Sequence, residues 1–396
     1  MRIGAVLQGV TVVAAMLVAG HAGAAEVAGA GEVIDARIET SMTEAGLVGV
    51  GAAVIVDRRM VWSKGYGFAD RQRGVAFTPD TAMNIASITK TVTGVAMMQA
   101  VQAGKLSLDE DINAYLPFKV VHPQFPDARI TLRQLATHTS GINDRWAVYE
   151  RLYHWGGDAP EALGDFLRGY LVQGGKDYAT DNFVPHRPGT HRAYSNIGAG
   201  LVGYIVERAM GERFDAYTQR TILSPLKMTR SHWFLSQRPA DERATLYVAQ
   251  GGFAVPIRNY GLATYPDGGL RTSVADLSRF FIAVLGDGSL DGARILSPAS
   301  IAELRRFQYT PGHTPDNVVP EEKNSGLFWA TKFDTAYVGH GGSDPGVHTA
   351  MLANPAGDVA IVLFVNTSVD DRDGKVYGQL FDALWQHALT FKRSKK

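Results

Sequence analysis

A β-hairpin and a helix occur at both ends of this chain, and that repetition limits the folds open to it more than any other feature. Near the N-terminus, VGAAVIVD (50–57) and MVWSKGYG (60–67) are two β-rich runs joined around DRR, which predicts a hairpin. Ahead of them, Glu32 to Met42 sets Ile34, Ile38 and Met42 at four-residue spacing, the mark of a helix with one buried stripe. The C-terminal end has the same parts: VHTAMLAN, the turn PAGD, the strand VAIVLFVN, and a helix over about 374–389 with Val376, Leu380 and Leu384 on one face. Between them the chain is helical and loop-rich, punctuated by YLPF, HRPGTH, ILSPLKM and YPDGGLRTS. This order predicts an α+β protein: a central antiparallel sheet built from both chain ends, flanked by helices, with a largely helical middle region. The sheet part spans about 30–80 and 325–392, the helical part about 81–324.

The first 25 residues read differently. Arg2 precedes an apolar stretch from Val6 to Val18, followed by small residues with exits after Ala24 or Ala25, the pattern of a secretory leader. The expectation is a catalytic domain over 26–396, exported to the periplasm or the medium. No later segment is apolar enough to span a membrane. Lys plus Arg equals Asp plus Glu at 39 each, so the chain carries no electrostatic footprint for nucleic acid or an anionic membrane. The expected partner is a small molecule or a peptide. With no cysteine, disulfides, thiolate metal sites and a cysteine nucleophile are excluded, which leaves oxygen nucleophiles and carboxylates.

Three short segments carry the chemistry. In TAMNIASITKTVTGVAMMQA (81–100), Ile88, Val92, Val95 and Met98 form a helix face that Gly104 would stop, with Ser87 at the N-terminus. Lys90 lies one turn on, within reach of the serine oxygen. A serine hydroxyl needs a base, and a lysine serves if burial lowers its pKa; a helix N-terminus favours the developing negative charge. Ser87 could equally be an ordinary N-cap, and Ser224 with Lys227 repeats the spacing, so the pair alone decides nothing. The second segment, HRAYSNIGAG, holds the one Tyr-x-Asn, Tyr194 and Asn196. A tyrosine beside an ammonium can act as base or acid, and an asparagine can hold a substrate amide. The third, GHGGSDPGVHTAML, is a glycine-rich turn entering a strand whose edge can offer N–H groups to an oxyanion and a peptide, with His340 along it.

Ser-x-x-Lys, Tyr-x-Asn and a His-x-Gly strand, in this order, resemble the penicillin-recognising serine hydrolases: class C β-lactamases, D-Ala-D-Ala carboxypeptidases, D-aminopeptidases and related esterases. VWSKGYGFAD, GKLSLDEDINAYLP, ITLRQLATHTSGI, SPLKMTRS and GGLRTSVADLSRF extend the resemblance over nearly the whole chain beyond the leader. It implies that Ser87 is acylated, that Lys90 is proton acceptor or electrostatic partner, and that Tyr194 is base and acid. Asn196 would contact the substrate amide, His340 and Gly342 would occupy the third-motif positions, and the Ser87 and Ser343 N–H groups would form the oxyanion hole. The implied chemistry is acyl transfer without metal or organic cofactor, and Ser224–Lys227 becomes a structural turn. Class C β-lactamases are expected to carry Lys-Thr-Gly where this chain has His340-Gly341-Gly342, which weakens a carboxylate clamp. The ranking that follows is peptidase or amidase, then esterase, then β-lactamase.

Other readings are weaker. His340, Asp344 and His348 have four-residue spacing, but the glycines and proline among them argue against a helix that would align them for zinc. No G-x-S-x-G is present, and His138 in LATHTSG reads as a structural residue beneath the site. A binding protein that is acylated without turnover would be expected to lose Ser87, Lys90 or Tyr194, and all three are present. The aromatic stretch from Trp146 to Phe183 reads mainly as core, with part of it expected over the cleft.

Overall fold

The computed structural model describes residues 31–369 and 375–393; the expected leader lies outside them. The central sheet has eight strands. Three come from the N-terminal part, β1 (Gly49–Val56), β2 (Arg59–Asp70) and β3 (Val75–Ala76). Five come from the C-terminal part: β4 (Ser325–Gly326), β5 (Trp329–Lys332), β6 (Tyr337–Asp344), β7 (Val347–Ala353) and β8 (Val359–Val365). Their order is β4-β5-β6-β7-β8-β1-β2-β3. The ends of the chain meet at the antiparallel β1–β8 pair, where Val50 faces Val365 and Val56 faces Val359. The DRR turn is a two-residue connection: Asp57 and Arg58 both take positive φ, +50° and +60°, the primed-turn geometry that matches strand twist.

Alternation along β1 and β8 divides the core in two. Val50, Ala52, Val54 and Val56, with Ile361, Leu363 and Val365, face a layer formed by helix α1 (31–45) and the last helix. That last helix, labelled α5 below, runs Lys375–Arg393. Ile34, Ile38 and Met42 of the first helix and Val376, Leu380 and Leu384 of the last supply the covering stripes, as their spacing predicts. The opposite side chains, Ala53, Ile55, Val362 and Phe364, face the larger core with the helical middle region. Covered on both faces, the central strands are apolar at nearly every position.

The helix carrying the first motif differs from the amphipathic expectation. Helix α2 (Thr89–Gln102) is buried from Thr89 through Met98 on every side, polar Thr89, Thr91 and Thr93 included. It runs through the middle of the molecule, against helix α3 (Asn196–Met210) and beside the sheet, so a single apolar stripe would leave the other faces unmatched. Its threonines are satisfied internally: Thr91 Oγ1 donates to the Ile88 carbonyl at 2.7 Å and Thr93 Oγ1 to the Pro266 carbonyl at 2.6 Å. Helix α4 (Val274–Leu285), capped by Ser273, packs on the same face of β1.

Candidate active site

Ser87 is not the N-cap of α2. It occupies a 3-10 turn, Ala86–Ile88, placed ahead of the α-helix, and that turn is reached through an unusual backbone: Ala86 has φ +48°. Left-handed geometry at a residue with a Cβ costs on the order of 1 kcal/mol or more. The Ala86 N–H is held by Asn84 Oδ1 at 2.5 Å. This bend raises Ser87 out of a core in which its neighbours Ile85, Ala86 and Ile88 are all buried.

Lys90 is fully buried beneath it. Its Nζ reaches Ser87 Oγ at 3.1 Å, Asn196 Oδ1 at 2.6 Å and the Asp267 carbonyl at 2.8 Å. Three oxygens around one nitrogen suit an ammonium, which has three hydrogens to give. Burial alone would lower the Lys90 pKa, but the adjacent Tyr194 hydroxyl and the Asp267 and Asp144 carboxylates outweigh it and hold the group above its usual value. The sequence expectation that burial lowers this lysine is therefore corrected. Of the two roles open to Lys90, a raised pKa favours electrostatic partner over proton acceptor.

Tyr194 lies across the ammonium, with Nζ 5.1 Å from its ring centroid. Its other face rests on His138, whose ring centroid is 4.2 Å away. His138 is buried at φ +59° and accepts the Ser195 N–H on Nδ1 at 3.2 Å. Burial, with the charges of Arg192 and Lys90, keeps it neutral, so it supports Tyr194 as an uncharged platform.

One residue not singled out from the sequence holds the second motif in place. Asp144 accepts Ser195 Oγ at 2.7 Å, the Asn196 N–H at 2.6 Å and the Ile197 N–H at 3.1 Å, while Ser195 Oγ accepts the Gly198 N–H at 2.8 Å. A carboxylate at the N-terminus of α3 answers unpaired N–H groups and the helix dipole together. Its sequence signal, an Asp within GINDRW, is too ordinary to find. Asp267 was missed likewise. Its Oδ1 accepts the Tyr149 hydroxyl at 3.1 Å, its Oδ2 has no partner, and burial pushes its carboxyl up to about 7.

The third motif lies along β6. A Cβ on Gly342 would stand 2.4 Å from the Ile85 carbonyl and 3.0 Å from Ala86 Cβ, so only glycine lets this strand lie directly on the turn that carries Ser87. Thr349 Oγ1 of the neighbouring strand donates to the Ile85 carbonyl at 2.9 Å and fixes the contact. Ser343, next along β6, is exposed at its open edge. His340 is buried, its Nδ1 2.6 Å from the Gly341 carbonyl. Burial first, then the charges of Lys90 and Lys332, push its pKa down to about 3, so the imidazole is neutral at neutral pH.

The remaining candidates separate. His340, Asp344 and His348 do not converge: His340 faces Lys90, whereas His348 stacks on Tyr377 of α5 with ring centroids 3.5 Å apart. His186, His191 and Asp316 do converge on one surface point. There His191 is already engaged through both nitrogens, with Asp316 at 2.6 Å and Asn317 at 3.1 Å, which pins the 310–324 loop. Ser224 and Lys227 form an exposed turn, with Lys227 at φ +54° and its N–H on the Ser224 carbonyl. In the aromatic stretch, Tyr149, Phe166, Tyr170 and Phe183 are buried, while Tyr153 reaches the end of β6 and the exposed Trp155 packs beside it.

The fold is of the β-lactamase/transpeptidase type, and it brings the three motifs together at one site. The family model described as Beta-lactamase matches residues 34–382, and the chain belongs to that family. Protein flp of Staphylococcus aureus (strain MRSA252) is 24% identical over 347 residues, which is 84% of this chain and 62% of that protein. The chain thus spans less than two thirds of that relative's length. Among solved structures, the octameric penicillin-binding protein homologue from Pyrococcus abyssi superposes with a TM-score of 0.71 at 25% identity, over 91% of this chain and 77% of the other. The D-amino acid amidase from Ochrobactrum anthropi SV3 does so with a TM-score of 0.72 at 20% identity, over 93% and 99%.

Proposed function

We propose that the protein is an exported serine hydrolase that cleaves an amide or peptide bond through an acyl-enzyme on Ser87, a peptidase of the D-aminopeptidase or carboxypeptidase-like type. The observation that carries this reading is the Lys90 ammonium held between Ser87 Oγ and Asn196 Oδ1. The Lys90 ammonium stabilises Tyr194 as its phenolate, which takes the Ser87 proton as the serine oxygen attacks the carbonyl and then, as the hydroxyl, gives that proton to the leaving amine. The N–H groups of Ser87 and Ser343 receive the oxyanion, and Asn196 orients the scissile amide. Every group in this scheme is an oxygen or nitrogen of the chain, and the resemblance that suggested it implies no metal or organic cofactor.

Neutral His340 supports the ranking among substrates. A β-lactam presents a carboxylate that a fixed cation at this position would hold, and an imidazole with a pKa near 3 supplies none. The same absence leaves a carboxylesterase as the second reading, since an ester leaving group needs no such clamp. The domain over 26–396 and export by the leader belong to this proposal as well.

Intact-mass measurement after incubation with a fluorophosphonate probe tests it. One adduct that disappears in Ser87→Ala is expected. Folded protein that takes up no adduct and turns over no ester, amide or β-lactam would favour a binding protein instead.

A further inference from the structure

The end of β6 beyond Ser343 carries a carboxylate that the acyl-transfer scheme does not use. Asp344 is only partly exposed, at the open edge of the strand. Its Oδ1 accepts the Tyr153 hydroxyl at 2.5 Å and the Tyr260 hydroxyl lies beside it, so that among the described residues it has no charged hydrogen-bond partner. Nor has it an ion pair among them; the nearby guanidinium of Arg271 is buried and turned to the carbonyls of Trp233, Gly269 and Tyr260. A Cβ on Gly268 would lie 3.8 Å from the Ala86 carbonyl carbon and 3.9 Å from Oδ2, so the carboxylate sits close to the turn that carries Ser87.

Aromatic rings surround this group. Tyr153 belongs to the strand Tyr153–Trp155, which pairs with Tyr260–Leu262. Tyr153 and Trp155 stack with centroids 6.2 Å apart, and Tyr260 contacts each of them at 5.1 Å. Tyr260 is anchored by its hydroxyl on the Pro345 carbonyl, whereas Trp155 is 48% exposed. A carboxylate met only by neutral tyrosine hydroxyls, beside a cluster of tyrosine and tryptophan rings, is complementary to a cation and in particular to an ammonium.

The side of the scissile bond follows from the strand. His340 and Asp344 lie four residues apart along β6, about 13 Å, with Ser343 between them. Tyr194, the acid toward the leaving group, stacks on His138 and lies two residues from Arg192, whose charge acts on His340. The leaving group therefore departs at the His340 end, and the acyl group remains at the Asp344 end.

We propose that Asp344, with Tyr153 and Trp155, is a subsite for the free α-ammonium group of an aminoacyl substrate, so that the enzyme acts on amino-acid amides and short peptides with unblocked N-termini. This rests on the Ser87 acyl-enzyme reading and narrows it to an aminopeptidase or amino-acid amidase specificity. The alkyl or aromatic side chain of the same residue would lie along Trp155.

The test compares D- and L-phenylalanine p-nitroanilide with their N-acetyl forms, using p-nitrophenyl butyrate as a substrate without an amine. For at least one enantiomer, wild type is expected to favour the free amine by at least about tenfold in kcat/KM, mainly through KM. In Asp344→Asn that ratio should collapse toward one, and in Tyr153→Phe it should fall part of the way. Equal turnover of free and acetylated substrates by wild type, or an unchanged ratio in both variants, would overturn the subsite. If ester turnover and fluorophosphonate labelling persist in that case, the Ser87 reading stands alone; if neither is present, both fall. Should Asp344→Asn not fold, the wild-type ratio and Tyr153→Phe decide the matter.

Discussion

Lys90 and His340 are both buried basic groups on elements packed at the Ser87 turn, and their pKa values move in opposite directions. Lys90 has three oxygens to receive its hydrogens, and His340 has only a neighbouring carbonyl and the repulsion of Lys90 and Lys332. Partners decide the outcome where burial alone would have lowered both. Lys90→Ala is therefore expected to cut kcat/KM about a hundredfold or more, and Ser87→Ala to abolish turnover. Because the two act as one unit, Ser87→Ala with Lys90→Ala should be no worse than Ser87→Ala alone, which steady-state kinetics on the double variant would check. Asp344 yields a pH prediction. Burial raises its carboxyl to about 6 despite the Tyr153 and Tyr260 hydroxyls and the charges of Lys90 and Arg271. Above pH 6 it is a carboxylate that holds an ammonium, and below it becomes neutral and does not. The kcat/KM ratio of free-amine to N-acetyl substrate should fall as pH drops through about 6, and a ratio that is flat from pH 8 to 5 would contradict the assignment.

At the scale of elements, two contacts place the candidate catalytic atoms, and one of them lies outside the motifs. The N-terminus of α3 is tied to Asp144 through three hydrogen bonds, so Tyr194 and Asn196 keep their positions only while that carboxylate is present. Asp144→Ala leaves buried N–H groups unanswered, at an expected loss of about 1–3 kcal/mol in stability. It should also lower kcat/KM by at least about tenfold; a stable variant with full activity would show that α3 needs no such anchor. On the other side, the seat of β6 on the Ser87 turn depends on Gly342, where a side chain would meet the Ile85 carbonyl. The motif letters of these elements were legible in the sequence, as were the two hairpins and the stripes on α1 and α5. Asp144 and Asp267 were not, because a lone aspartate in a loop has no pattern, and its value comes from what folding places beside it.

Across the whole molecule, six histidines among the described residues are held below their ordinary pKa by burial: His122, His138, His232, His340, His348 and His387. Four carboxyls are shifted the other way, Asp144, Asp267, Asp276 and Asp344. As pH falls through 6.5, the unfolded chain takes up protons on imidazoles that the folded chain leaves neutral, which destabilises the fold. Uptake by the raised carboxyls in the folded state works against this, but the count is six against four. Each net proton is worth up to about 1.4 kcal/mol per pH unit. The urea midpoint should accordingly be lower at pH 5 than at pH 7.5; an equal or higher midpoint would mean that the carboxyls dominate.

What the sequence by itself determined is whatever repeats or alternates along the chain: hairpins, helix stripes, and motifs whose members lie within a few residues of one another. That sufficed for a sheet closed by both chain ends and for the identity of the candidate nucleophile. Only the tertiary structure decided the protonation of Lys90, the neutral state of His340, the all-round burial of α2 and the gathering of Asp144, Asp267 and Asp344 about one cleft. Those properties depend on distances between residues from 51 to 191 positions apart, Asp144 to Ser195 and Tyr153 to Asp344 among them, and on the water excluded when they meet. Spacing along a chain carries neither quantity.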